Sequence, residues 1–172
     1  MAVLLRRATL EDLTALLEMW LAFLDEQAAM DDRFARSEDA SERWRNDFPL
    51  WVNAQDRCLL VAFKDAEAVG FLAAQLWASP PIYRQERTAH INEVYVTPSV
   101  RGQGVGKRLV SAIRAWSEEV GARRLQLVVL AENEQARAFW TKEEAQPLAL
   151  TLTLSVDAEP RDEAPSHPLG FH

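Results

Sequence analysis

The chain has 172 residues, 48% of them hydrophobic, with six Trp and seven Phe, which suits one domain with a full core and is short for two. A net charge of −7, from 19 Lys and Arg against 26 Asp and Glu, argues against nucleic acid as a partner. One cysteine excludes an intrachain disulfide framework and fits a reducing, cytoplasmic setting.

Residues 2–8 read as an opening strand, with no apolar stretch of signal-peptide length and none further on that could span a bilayer, so a soluble chain without a membrane partner is expected. Thr9 reads as an N-cap, with Asp12 completing a capping-box pattern. Leu10, Leu13, Leu17, Trp20 and Leu24 then form one helical stripe over residues 10–27. After the acidic connector Met30-Asp31-Asp32-Arg33, a second helix is predicted over about residues 38–53. Trp44, Phe48 and Trp51 would be inward there, and Pro49 would kink or end it.

Residues 57–63, which include Cys58 as a core residue, and residues 68–77 are apolar runs joined by a hairpin-length turn, Lys64-Asp65-Ala66-Glu67. Their near-continuous hydrophobicity predicts strands covered on both faces. Residues 78–88, with two adjacent prolines and then Tyr83, read as a loop able to reach over a site.

Residues 91–96 form a β-branched and apolar strand stopped by Pro98. Beyond it Val105, Leu109, Ile113, Trp116 and Val120 mark one face of a helix that Gly121 would end. Between strand and helix lies Arg101-Gly102-Gln103-Gly104-Val105-Gly106. Glycines there leave backbone N–H groups uncovered at a helix N-terminus, where dipole and unpaired donors favour an anion such as phosphate. The run lacks the Gly-Lys-Ser/Thr ending of a Walker loop and the G-x-G-x-x-G spacing of dinucleotide folds. Residues 125–130 read as a further strand, giving a parallel crossover. Asn133 opens a short helix with Ala136, Phe139 and Trp140, and residues 148–156 alternate Leu and Thr as a final strand. From residue 157 the chain is rich in Pro, Asp and Glu, and a disordered tail is expected over 157–172, behind one domain over 1–156. His167 and His172 lie there and read as inert, so no metal is expected.

Val96-Thr97-Pro98-Ser99-Val100-Arg101-Gly102-Gln103-Gly104-Val105-Gly106, with its flanking strand and helix, resembles the acetyl-CoA pyrophosphate loop of the GNAT superfamily of N-acetyltransferases. The resemblance spans about residues 4–154 and implies an α/β fold: a mixed sheet flanked by helices, in the order β-α-α-β-β-β-α-β-α-β. It also implies an acetyl-CoA co-substrate and an N-acetyltransferase acting by direct transfer in a ternary complex. The backbone of Val94 and Val96 would pair with the pantetheine arm. The amides of Arg101, Gly102, Gln103, Gly104, Val105 and Gly106 would hold the pyrophosphate, with charge from Arg101 and Lys107. In the Asn-x-x-Ala-x-x-Phe segment of Asn133, Ala136 and Phe139, Asn133 would bond pantetheine or substrate, or else serve only as a helix cap.

A carboxylate is needed to take the proton of an amine, and Glu93, inside an apolar strand, is the candidate base. His90 and Tyr95 are weaker candidates, and Asn92 stands where some relatives carry an acid. Trp140 occupies the position where family members often carry an acidic Tyr, and an indole N–H is no proton source near pH 7. Tyr95, Tyr83 or water would then serve, or the leaving group departs as thiolate. The usual Leu-Gly-Phe ending after this helix is also replaced, by Glu143-Glu144-Ala145-Gln146-Pro147.

Residues 11–47 carry eleven acids and four bases, which favours a cationic substrate: a polyamine, an aminoglycoside or an amino-acid-like amine. Residues 84–124 carry eight bases and four acids, which suits a polyanionic co-substrate. The alternatives are an acyl-CoA-binding module with weak or no transfer, and a protein N-terminal or lysine acetyltransferase. The Leu/Thr strand could also pair across a two-fold axis as a homodimer.

Overall fold

The computed structural model describes residues 3–78, 82 and 86–154. The tail over 157–172, Tyr83 and much of the 78–88 loop lie outside them. A five-stranded sheet runs in the order β1 (Leu4–Arg7), β2 (Arg57–Lys64), β3 (Glu67–Trp77), β4 (Thr88–Val96), β5 (Arg124–Leu127). The first four strands pair antiparallel, and β4 and β5 pair parallel through a crossover helix. Helices α1 (Leu13–Met30) and α2 (Ala40–Asn53) follow β1, α3 (Val105–Glu119) forms the crossover, and α4 (Glu134–Lys142) follows β5.

Two apolar cores lie on opposite faces of this sheet. Val105, Leu109, Val110, Ile113 and Trp116 of α3 pack on Cys58, Leu60, Leu72, Ala74, Ala89 and Ile91. Leu16 and Met19 of α1 and Phe48 of α2 pack on Leu59, Val61, Phe71, Ala73 and Tyr95. The α3 residues are those expected from the 3.6-residue period. The α1 face is rotated from the expected stripe: Leu16 is fully buried while Leu10 is exposed in a preceding 3₁₀ turn. The cause is the capping box itself. The Asp12 carboxylate accepts the Thr9 N–H at 2.7 Å and a forked pair from Arg6 at 2.6 and 2.8 Å, so the chain enters α1 through that turn.

Helix α2 continues to Asn53, four residues past Pro49, rather than ending there. Pro49 is exposed, so its missing N–H frees a carbonyl that faces water. Helix α3 ends as expected at Gly121, with φ of 73°; the Ala122 N–H reaches the Ser117 carbonyl at 2.8 Å and the Gly121 N–H reaches that of Glu118 at 3.0 Å.

Among the described residues the predicted final strand is absent. Residues 145–154 form no regular element, and Leu148, Leu150, Leu152 and Leu154 are 70–91% exposed. Alternation alone cannot make a strand without a partner for its backbone, and here none is paired. Strand β5 is also shorter than expected, ending at Leu127. It is the free edge of the sheet, bordered by a groove of about 420 Å³ lined by Ile91, Val110, Leu125, Leu127 and Trp140.

The β2–β3 hairpin turns on Asp65 and Ala66, both left-handed with φ of 53° and 68°. Alanine pays a steric cost there that glycine does not, about 1 kcal/mol. Ala66→Gly is therefore expected to stabilise the fold by roughly that amount in urea unfolding; a lower midpoint would refute this account of the turn.

Candidate active site

Strand β4 changes phase at Asn92. Ala74 pairs with Ile91 and Ala73 with Glu93, so Asn92 is an extra residue, exposed, with no opposite number on β3. Before the bulge Ala89 and Ile91 point into the α3-side core. After it Val94 and Val96 do so, while Tyr95 enters the core under α1 and α2. Strict alternation would have driven Glu93 into the α3-side core with Ile91. The bulge delivers it to the opposite face instead, where its Oε1 accepts the indole N–H of Trp20 at 2.9 Å.

The same bulge marks where the sheet opens. Pairing between β4 and β5 covers only Thr88–Ile91 against Arg124–Leu127. Beyond it the strands part, and Val128 is 79% exposed. The Thr97 N–H donates to the Val69 carbonyl, which fixes the ladder phase: residues 93, 95 and 97 turn their backbone groups toward β3. Those of Val94 and Val96 face the opening. The Val96 carbonyl is taken by Arg101 Nε at 2.8 Å.

The Gly-rich loop follows. Gly102 and Gly104 have φ of 75° and 83°, and a Cβ on either would meet nothing within 4 Å, so their backbone requires glycine while the space above them is open. Gly106 differs. A Cβ there would lie 3.3 Å from the Phe139 ring, so glycine lets α4 close against the first turn of α3. The first helical bond of α3 is donated by Arg108, to Gly104. The N–H groups of Gly104, Val105, Gly106 and Lys107 have no backbone acceptor among the described residues, and they converge at the positive end of α3. This cradle fits an anion.

Not every expected ligand is free. Arg101 is committed to Glu26, at 2.6 and 2.8 Å, besides the Val96 carbonyl, and lies over the Tyr95 ring at 5.5 Å. It braces the loop against α1. The Gln103 side chain bridges Ser99 and Lys64, whereas Lys107 stays exposed. Asn133 Oδ1 caps α4 by accepting the Ala136 N–H at 2.9 Å, so the cap is formed whatever else its amide does. Ala136 and Phe139 are half-buried on the same helix.

The titratable groups separate clearly. Burial pushes the Glu93 carboxyl above the ordinary carboxylate range, against the pull of the Trp20 hydrogen bond. Burial lowers His90, whose buried Nδ1 has no partner and whose ring stands edge-on to Trp77 at 4.6 Å. Burial, then the Glu26 charge, raises Tyr95, which packs on Phe71 at 6.2 Å. Cys58 is 1% exposed, its thiol pushed up by burial to about 11. Trp140 packs on the α3 side and lines the β5 groove, on the face opposite Glu93. No cluster of three or more potential metal ligands occurs among the described residues.

Residues 17–143 match the acetyltransferase (GNAT) family. The chain belongs to that family. An uncharacterized N-acetyltransferase of Archaeoglobus fulgidus is 27% identical over 143 residues, 81% of this chain and 90% of the relative. The fold is shared with a mutant protein of Bacillus halodurans, at a TM-score of 0.79 and 19% identity over 89% of this chain and 99% of that one. It is also shared with the aminoglycoside N-acetyltransferase AAC(6')-Iy, solved with CoA, at 0.71 and 16% over 91% and 96%. As a GNAT protein the chain is an acetyltransferase, and the open loop and parted strands agree with that membership. No helix among the described residues is long and apolar enough to cross a membrane.

Composition did not single out Trp20 for this site; the helical period placed it with the core stripe. The available signal was that a part-buried indole N–H needs an acceptor. Trp20→Phe removes that donor, so the Glu93 carboxyl is expected to titrate higher still in carbon-13 NMR of labelled glutamate. An unchanged or lower value would refute the contact.

Proposed function

We propose that this GNAT protein transfers acetyl from acetyl-CoA directly to the primary amine of a small cationic molecule, with Glu93 as the base. The observation that carries the reading is a carboxylate of raised basicity set at the mouth of the β4–β5 opening, beside an anion cradle.

Acetyl-CoA, when bound, supplies the acetyl group as a thioester. The backbone N–H groups of Gly102, Gly104, Val105, Gly106 and Lys107 would hold its pyrophosphate, with the Lys107 charge nearby, while those of Arg101 and Gln103 are given to the carbonyls of Pro98 and Val100. The backbone edge of Val94 and Val96 would take the pantetheine arm. Phe139, seated on Gly106, supports the loop from below, and the Asn133 cap sets the start of α4 beside it. Arg101 acts by position: it ties the loop to Glu26 and so to α1, which also carries Trp20.

An amine arrives mostly as ammonium, its ordinary pKa being about 10. Glu93 is the base that frees the nitrogen lone pair. The new C–N bond then forms as the C–S bond breaks, the sulfur leaves with the electron pair, and the second proton released from nitrogen passes to that sulfur or to water. Cys58 is the chain's one thiol, buried and protonated, which favours direct transfer over a thiol-bound acyl enzyme.

Two placements favour one second reading, an acyl-CoA-binding module with weak turnover: Trp140 lies on the face opposite Glu93, and Tyr95, though on the Glu93 face, is buried in the core under α1 and α2. The free β5 edge and the exposed leucines of 148–154 support a homodimer in which that segment covers the edge of a partner. Sedimentation should then give a dimer, and Leu150→Lys with Leu152→Lys a monomer; a wild-type monomer would rule this assembly out.

The decisive variant is Glu93→Gln. A carboxyl raised on folding stabilises the fold in its protonated form, and that stability is lost as pH rises from the unfolded value through the folded one. At neutral pH the amide therefore relieves a cost while still accepting from Trp20. Melting at pH 7 should be unchanged or higher, acetyl transfer to the best amine should fall roughly 10²–10⁴-fold, and the acid limb of the kcat/KM profile should disappear. Retained activity with an unchanged profile would end the assignment of Glu93 as base.

A further inference from the structure

The acceptor side of the site is aromatic. Register and alternation put Gln75 and Trp77 of β3, and His90 of β4, on the same face as Glu93. Trp77 is 53% exposed with its ring against His90, so this part of the face is not covered by α1 or α2. At the other end Trp20 bonds Glu93, and Trp44 of α2 stands behind it at 5.8 Å between ring centroids. Both indoles are only half-buried. Ile91 and the bulged Asn92 separate His90 from Glu93, whose partners Gln75 and Ala73 on β3 are two residues apart, about 7 Å of strand.

The strands bring few carboxylates to this face. Glu93 is the one carboxylate that the described residues of β3 and β4 turn toward it. Of the eleven acids of residues 11–47, which suggested a polycation, five are held in ion pairs. Asp12 pairs with Arg6, Asp25 with Arg36, Glu26 with Arg101, Asp31 with Arg33 and Asp39 with Arg43. A polyamine would find one strand carboxylate for several ammonium groups, and a polyhydroxylated amino sugar would desolvate its hydroxyl groups against indole.

The geometry points to an acceptor with a single ammonium on a short arm from a flat apolar or aromatic body, an arylalkylamine in chemical class. This rests on the acetyl-transfer reading of the same site. The ammonium is drawn to Glu93, while the ring lies along the Trp77–His90 edge and indole faces stabilise the cation as it enters. Trp77 is then the specificity residue: it touches the body of the acceptor and takes no part in the proton transfer.

Calorimetric titration of the protein without acetyl-CoA, using 2-phenylethylamine, spermidine and kanamycin, tests the recognition apart from the chemistry. Parallel assays follow thiol release from acetyl-CoA with the same amines. 2-Phenylethylamine is expected to bind at least tenfold more tightly than either polycation. Trp77→Ala should weaken that binding and raise its KM by about tenfold, leave the KM for acetyl-CoA unchanged, and be largely rescued by Trp77→Phe. Better binding or turnover of spermidine or kanamycin overturns the inference and leaves acetyl transfer standing, as does a Trp77→Ala variant with wild-type affinity for the aromatic amine. Trp77-dependent binding without thiol release supports the recognition and overturns the transfer.

Discussion

One extra residue in one strand governs this molecule. Until Asn92, β4 alternates so that its odd-numbered residues face α3; beyond it the even-numbered valines do. Without that shift Glu93 would be an unpaired carboxylate inside the α3-side core, at a cost of several kcal/mol. With it, the carboxylate meets an indole N–H, and Val94 and Val96 turn toward the core that their neighbours already occupy. The parting of β4 from β5 begins at the same residue, because a bulge bends and twists the strand that carries it. A single irregularity thus sets the face of the carboxylate, the opening and the backbone edge that borders it.

The loop is held by a different economy. Three glycines within five residues invite a single explanation, yet they do separate work. Gly102 and Gly104 are there for left-handed backbone with open space above, and Gly106 for the approach of Phe139. Arg101 is the most conspicuous cation in the loop, and the fold spends it on Glu26 and the Val96 carbonyl. What remains for an anion is mainly backbone N–H, which is fixed in direction and costs no side-chain entropy to align. Holding the loop to α1 through Glu26 also links the cradle to the helix that supplies Trp20.

Much of this was legible in the residue pattern, and the failures share a cause. The Val-x-Pro and Gly-rich stretch, the α3 period, the Thr9–Asp12 box and the hairpin all depend on neighbours in sequence, and all formed. The charged residue amid Ile91, Val94 and Val96 is turned by the bulge onto the face of Trp20, which bonds it. The α1 stripe slipped because Arg6, six residues before Asp12, sets how the chain enters the helix. The 148–156 strand failed because its period says which side chains agree, not whether a backbone stands ready to pair. Trp140 and Trp20 were placed by one-dimensional arguments, as a missing acid and a core residue, and only the assignment of faces put one beyond the site and the other into it.

Trp20 also explains how the Glu93 carboxyl is held above its ordinary range and still tolerated. Burial alone would push a carboxyl toward the neutral form; a hydrogen bond to the charged form pulls it back. An indole N–H is a suitable donor for that balance, because it stabilises the anion without bringing a positive charge that would abolish the raised basicity. An arginine at the same place would hold Glu93 ionised and weakly basic, as Arg6 does for Asp12. The two carboxylates sit in one fold with opposite shifts, and the difference lies in burial and partner: a cation outweighs desolvation at Asp12, and desolvation outweighs a neutral donor at Glu93.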